Sequence, residues 1–312
     1  MKEAAKLVCE DYQTIHMLPR WVTSAQGQDI DRVAFSSGAA LAMLDVVLRD
    51  PSGTLPGALL RDRLALEAAV ACLKLEGRNE TASDIRDVAC LARAVDAFGP
   101  AGEMFGAWRR LARVNLAAGG WKDRVRKVLP AAVAEAMPDL GAPARTPVAQ
   151  AGQILSDILT QFPREEAAAL MLTDVTLARA VGWSRPMPLL AVHLQRKDIR
   201  VIADGAGDPV HSVHRAIFAA CDGAIRMAAA LNRRVAKLRA VAPKLRAKGS
   251  DEALALFLSH DAVSPSGMLS PVIKGTSVAM TDRAARRLCD RLVDLGVVRE
   301  LTGRATFRLY GI

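Results

Sequence analysis

A chain of 312 residues, half of them apolar and only 4% aromatic, can bury a large core and is expected to be mainly α-helical. No apolar run reaches the length of a membrane span or a signal peptide, and Cys9, Cys72, Cys90, Cys221 and Cys289 include no close pair; these features predict a reduced, cytoplasmic protein with no membrane partner. The net charge of +9 is unevenly placed: from Arg226 onward sixteen Lys and Arg face seven Asp and Glu, which leaves residues 1–225 neutral.

In chain order, residues 1–30 read as an N-terminal segment, 31–248 as an α-helical domain and 249–312 as a second domain. Apolar spacing predicts helices over Val33–Arg49, Gly57–Glu76, Thr81–Val95 and Pro100–Leu116, and over Trp121–Met137 with a break at Pro130. Trp108, spaced with Phe105 and Leu111, is expected in the core, and Glu76-Gly77 is expected to end a helix. Three prolines and a glycine between residues 138 and 147 mark an internal boundary. Helices resume at Val148–Gln161 and Arg164–Val181, and Trp183–Pro209 is expected to be irregular. One long helix then runs from about Val210 to Val241, where Pro243 should stop it, and a basic linker leads to Lys248.

The tail carries the sharpest signal. Glu252–His260 predicts one helix, Pro265–Ile273 a short second one, and Lys274-Gly275-Thr276 a turn. Thr281 caps a third helix, Asp282 sits at the positive end of its dipole, and Gly296 ends it. Ala284, Leu288, Leu292 and Leu295 make its buried face, with Arg283 and Arg286 opposite, Arg287 on the flank and Arg291 bordering the stripe. Val297–Leu301, a Thr302-Gly303-Arg304 turn and Ala305–Tyr310 follow as a hairpin. Three helices and a hairpin in this order predict a C-terminal winged helix-turn-helix, with double-stranded DNA as partner. The expected contacts are Arg283, Arg286, Arg287, Arg291, Arg304, Arg308 and Lys274, helped by the basic segment Arg226–Lys248. The bland alternative is a solvated arginine face, partly neutralised by Asp290 and Asp294.

Catalytic constellations are weak. His193, His211 and His214 lie near Asp204 and Asp208, and His211-x-x-His214 at a helix start has metal-ligand spacing, but Asp208-Pro209 also reads as an ordinary helix start. The Asp204–Asp208 loop lacks the strand and glycine spacing of a nucleotide site, and its carboxylates would repel phosphate. We therefore expect no metal and no cofactor.

The ending Val298–Ile312, the stretch Phe98-Gly-Pro-Ala-Gly102 with Ala107–Ala112, and Leu177–Leu190 resemble bacterial proteins grouped as domain of unknown function family 1403. The resemblance runs from about residue 30 to the end. More distantly, the order of parts is similar to Fic-related proteins with a C-terminal winged helix, and Ala71–Gly77 would match their Ser-Ser-Arg-Ile-Glu-Gly segment, with Cys72 and Leu73 replacing the serines. The resemblance implies a loop with a catalytic His and a phosphate-binding glycine turn. Its nearest counterpart, Phe218–Arg226, has Phe218 for the His and Ala224-Ile225 for Asn-Gly, so base and cradle are both missing. That segment reads as mid-helix, with Phe218 a core residue whose face Ile217, Cys221 and Ile225 continue, and no catalytic residue is transferred. The expectation is a transcriptional or plasmid-maintenance regulator whose helical body is non-catalytic and serves ligand sensing or formation of a homodimer. The alternative is a divergent enzyme, Fic-like or metal-dependent, that the tail only delivers.

Overall fold

The computed structural model describes residues 14–23, 29–91, 99–138, 140, 146–245, 248–304 and 306–312. A short helix α1 (Arg20–Thr23) precedes α2 (Ile30–Leu48), α3 (Gly57–Leu75), α4 (Ala82–Leu91) and α5 (Gly99–Arg113). Helix α3 stops because Gly77 takes φ +82°, a left-handed conformation open to glycine, so Glu76-Gly77 is indeed a helix end. Thr81 and Asp84 exchange hydrogen bonds around the first turn of α4, satisfying amides that a helix start leaves free. Pro130, which has no N–H to donate, separates α6 (Trp121–Arg126) from α7 (Ala131–Glu135).

Helix α8 (Pro147–Gln161) starts with Thr146 capping Ala149, and packs on α9 (Glu166–Ala180). Every residue of α9 from Ala168 to Ala178 is buried, which makes it the axis of the body. The 33-residue helix α11 (Pro209–Val241) begins at the Asp208 cap and packs along α2 and across α8. The crossing with α8 is close because Gly152 has no side chain: a Cβ there would sit 3.3 Å from Val210 Cα. Trp108 is fully buried, as its spacing with Phe105 and Leu111 requires.

The tail holds α12 (Ser250–Phe257) and α13 (Asp282–Asp294), then the short antiparallel pair β1 (Arg299–Glu300) and β2 (Tyr310–Gly311). The register puts Arg299 opposite Gly311 and Glu300 opposite Tyr310. Val263 pairs with Tyr310 on the other edge of β2, with N–H to O distances of 2.8 and 2.9 Å in the two directions. Three chain segments therefore lie side by side in the order Val263, β2, β1. Glu300 closes the turn by accepting from the N–H groups of Thr302 and Gly303. The buried apolar residues form one cluster that includes the tail as well as the body.

Four sequence expectations need correction. Residues 183–209 are not wholly irregular: α10 (Arg196–Ala203) forms there, burying Ile199 and Ile202, a pattern overshadowed by Pro186, Pro188 and the following glycines. Pro265–Ile273 is not a regular helix. Gly267 takes φ +90° and Ser266 an extended ψ of 126°, so Pro265, Met268 and Leu269, although buried at helix-like spacing, come from a compact turn ahead of a cis Ser270-Pro271 bond. The buried face of α13 is Ala285, Leu288, Cys289 and Leu292, rotated from the expected one, with Ala284 and Leu295 only half-buried. Phe218 is half-buried at the core edge, whereas Ile217, Cys221 and Ile225 are fully inside. Residues 92–95 of the expected third helix, most of the 138–147 break, Cys9 and Ala305 lie outside the described residues.

Candidate nucleic-acid interface

Helix α13 starts as its sequence requires. Thr281 Oγ1 accepts the Ala284 N–H at 3.3 Å, and Asp282 lies in the first turn beside the free amides. With Ala285, Leu288, Cys289 and Leu292 against the tail core, the 100° step between residues turns Arg283, Arg287, Asp290 and Asp294 straight outward and leaves Arg286 and Arg291 on the flanks. All four arginines are exposed. Charge is also unevenly placed along the axis: Arg283, Arg286 and Arg287 outnumber Asp282 in the first two turns, whereas Asp290 and Asp294 outnumber Arg291 in the last two. Arg286 donates to Asp282 at 2.7 Å, one turn back. Arg283, Arg287 and Arg291 make no ion pair among the described residues.

Lys274 is exposed on the Gly275 turn, whose φ of +82° permits the reversal. Arg308 is exposed, with its Nε donating to the Arg304 carbonyl at 3.0 Å. Arg304 differs from the other sequence-predicted contacts. Its Nη2 lies 2.6 Å from Asp87 Oδ2, so the tip of the hairpin is tied to α4 of the body. In the basic segment of α11, Arg233, Arg234, Lys237 and Arg239 are exposed, and Arg226 pairs with Asp222 at 2.8 Å.

The tail is fixed to the body by two buried aspartates that sequence reading passed over. Asp261, 3% exposed, accepts from Arg63 Nε at 3.0 Å and from Arg86 Nε on its other oxygen. Arg63 also reaches the Ile312 carbonyl. Asp62 on α3 accepts the Asp261 backbone N–H at 2.9 Å and Arg109 Nε at 2.6 Å, with Arg113 3.8 Å away. Burial presses the Arg63 guanidinium below its usual range; Asp261 pulls it back up while Arg234 and Arg299 push it down. The available signal is Arg61-Asp62-Arg63, a charged triplet inside a largely apolar helix.

The other sequence candidates are dispersed. His214 Nδ1 meets Ser37 Oγ on α2, and burial lowers its pKa. His193 lies against Gly223, more than two turns farther along α11. Among the described residues no three His, Cys, Asp or Glu side chains come together as a metal site. Phe218 to Arg226 is continuous helix inside α11, not a loop, so it offers no phosphate cradle of the kind the Fic resemblance implies. Cys72, Cys221 and Cys289 are buried and unpaired, and burial raises their thiols out of the reactive range; Cys90 is half-buried and shifted the same way.

A family model described as protein of unknown function, DUF1403, matches residues 6–312. The chain belongs to this family. The match to DUF1403 takes in α13 and the hairpin together with the body, so the tail is part of the family's common chain. No curated protein matches the sequence. No helix of the described residues is long and apolar enough to cross a membrane.

Proposed function

We propose that this DUF1403 protein binds duplex DNA through the first two turns of α13 and acts as a transcriptional or plasmid-maintenance regulator. The observation that carries the reading is the exposed, unpaired pair Arg283 and Arg287 at the start of a well-capped helix, where the one acidic residue, Asp282, is taken up by Arg286, while Asp290 and Asp294 lie toward the far end. A recognition helix meets base edges with its N-terminal residues, so the basic half would enter the groove and the acidic half would stay clear of phosphate. The tail is read as a winged-helix relative, since Val263, β2 and β1 lie in the strand order of that fold and α13 precedes the hairpin. A compact turn stands where the second helix would be. Arg291, Lys274 and Arg308 are placed to meet backbone phosphates, and Arg286 joins them on leaving Asp282. Arg304, held by Asp87, serves docking before DNA contact.

Fluorescence anisotropy with duplex DNA tests the reading. The log-log dependence of affinity on salt should have a slope of about −3 or steeper, as several phosphate contacts demand. Arg283→Ala and Arg287→Ala should each cost on the order of 1–3 kcal/mol if the side chain meets a guanine edge. Salt-independent binding, or full affinity in both variants, would refute it.

A further inference from the structure

A cleft of about 350 Å³ opens where α3 and α5 of the body meet the turn that follows α12. Arg61, Arg109, Arg113 and Arg185 line it, with Ser259 and His260 on the tail side. Asp62 is the one carboxylate in the lining, and it already accepts from Arg109 and from the Asp261 N–H. Four guanidinium groups thus face a single, occupied anion. Burial and then Arg185 bring Arg61 down to about 10, and burial and then Arg109 lower Arg113. Arg61 makes no hydrogen bond or ion pair among the described residues. Arg185 gives one N–H to the Arg113 carbonyl, and Arg109, stacked 4.9 Å over Phe105, uses its Nε on Asp62. With Arg61, Arg109 and Arg185 half-buried, Arg113 exposed at the rim and one carboxylate among them, these groups make an arrangement that a bound anion would stabilise.

We propose that this cleft binds a small phosphorylated molecule, with the phosphoryl group seated among the four arginines. A lone carboxylate is satisfied by one bidentate guanidinium, whereas a phosphate dianion offers three terminal oxygens and can engage several forks at once. The volume lies at the lower end of ligand pockets and leaves room for an organic part beyond the phosphate, against Ala58 and Ala112. His260, held neutral, and Ser259 supply polar contacts from the tail, so an occupant touches body and tail together. Duplex DNA is the less fitting partner, because Arg61, Arg109 and Arg185 are half-buried in a concavity, unlike the outward arginines of α13. The inference is independent of the DNA reading.

Calorimetric titration and thermal unfolding of the full chain test it, at constant ionic strength set with chloride. The probes are inorganic phosphate, pyrophosphate, a sugar phosphate, a nucleoside monophosphate and, as the carboxylate arm, malonate. At least one organic phosphate should bind more tightly than inorganic phosphate and raise Tm, as a ligand of the folded state must. Arg61→Met keeps the apolar stem and breaks no recorded hydrogen bond; it and Arg185→Met should each weaken the best probe about tenfold or more. Arg283→Ala on α13 should leave that affinity unchanged. Absence of binding at millimolar probe, unchanged affinity in both cleft variants, or an equal loss in Arg283→Ala would overturn the proposal. So would tighter binding of malonate than of every phosphate, or an equal loss of duplex affinity in Arg61→Met, which would make the cleft a contact for DNA phosphates.

Discussion

Replacing Asp261 with Ala should be among the most damaging single changes outside the apolar core. The carboxylate is buried and receives Arg63 and Arg86, whose side chains are 16% and 24% exposed. Removing it leaves two guanidinium groups without their partner, and Arg63 also feels Arg234 and Arg299 nearby. A surface pair would cost about 0–1 kcal/mol, but breaking a buried pair from one side costs about 3–5 kcal/mol, because the surviving charge stays desolvated. Arg86 can regain some water and Arg63 keeps the Ile312 carbonyl, which places the expected loss near the lower end, about 3 kcal/mol. Urea unfolding of the full chain reads this as a lower midpoint, and limited trypsin digestion should show faster cleavage at the exposed Lys244 and Lys248 that precede the tail. Replacing all three charges by apolar residues, Arg63→Met, Arg86→Met and Asp261→Leu together, should recover much of the loss. A loss under about 1 kcal/mol for Asp261→Ala, with unaltered proteolysis, would show that the tail is not held by these ion pairs.

The His260 imidazole is pushed down to about 4 by burial and then by Arg109, against Asp62, so below its ordinary value of 6.5 the unfolded chain takes up the proton more readily. Stability should therefore fall as pH drops from about 6.5 toward 4, by on the order of 1–2 kcal/mol after screening at the open cleft, and His260→Gln should remove that share in paired denaturant melts. Asp174, fully buried, has its pKa raised by the lack of water despite the Leu189 N–H at 2.9 Å, so ionisation of the unfolded chain above its ordinary 3.8 works against folding. Asp174→Asn, nearly the same shape, should be at least as stable as the parent at pH 7 and lose that advantage toward pH 4; a large loss at pH 7 would mean that the carboxylate is needed charged. At Gly311 a Cβ would lie 2.6 Å from the Asp261 carbonyl, so Gly311→Ala should force β2 away and cost about 1–3 kcal/mol by thermal melt. An unchanged Tm would show that the tail backbone yields freely there.

Helices were legible where chemistry marked both face and ends. Gly57–Leu75 lies within one residue of its expected limits because Leu60, Leu64, Ala68 and Cys72 set a face, Pro56 precedes the start and Gly77 follows the end. The break at Pro130 and the stop after Val241 follow from single prolines in the same way. Pro265–Ile273 was misread because three buried residues at helical spacing are also what a tight turn presents when it folds over an apolar core, and glycine decides between the two. Helix α10 is hard to read because two isoleucines among four charged residues give a short stripe beside loud proline and glycine signals.

The two charged surfaces differ in legibility for a geometric reason. The arginines of α13 sit on one short segment, so the helical step alone predicts which of them face out. The cleft and the junction draw on partners far apart in the chain: Arg109 meets Asp62 across 47 residues, and the Asp261 N–H meets Asp62 across 199. No local period relates such residues, and each alone reads as an ordinary solvated charge. Folding turns them into something else, because α3 delivers Arg61, Asp62 and Arg63 to one place from consecutive positions. Asp62 and Arg63 are held by partners that pin the tail, while Arg61 is left facing the cleft without a counter-charge. The same turn of helix therefore fixes the tail that carries α13 and lines the cleft beside it.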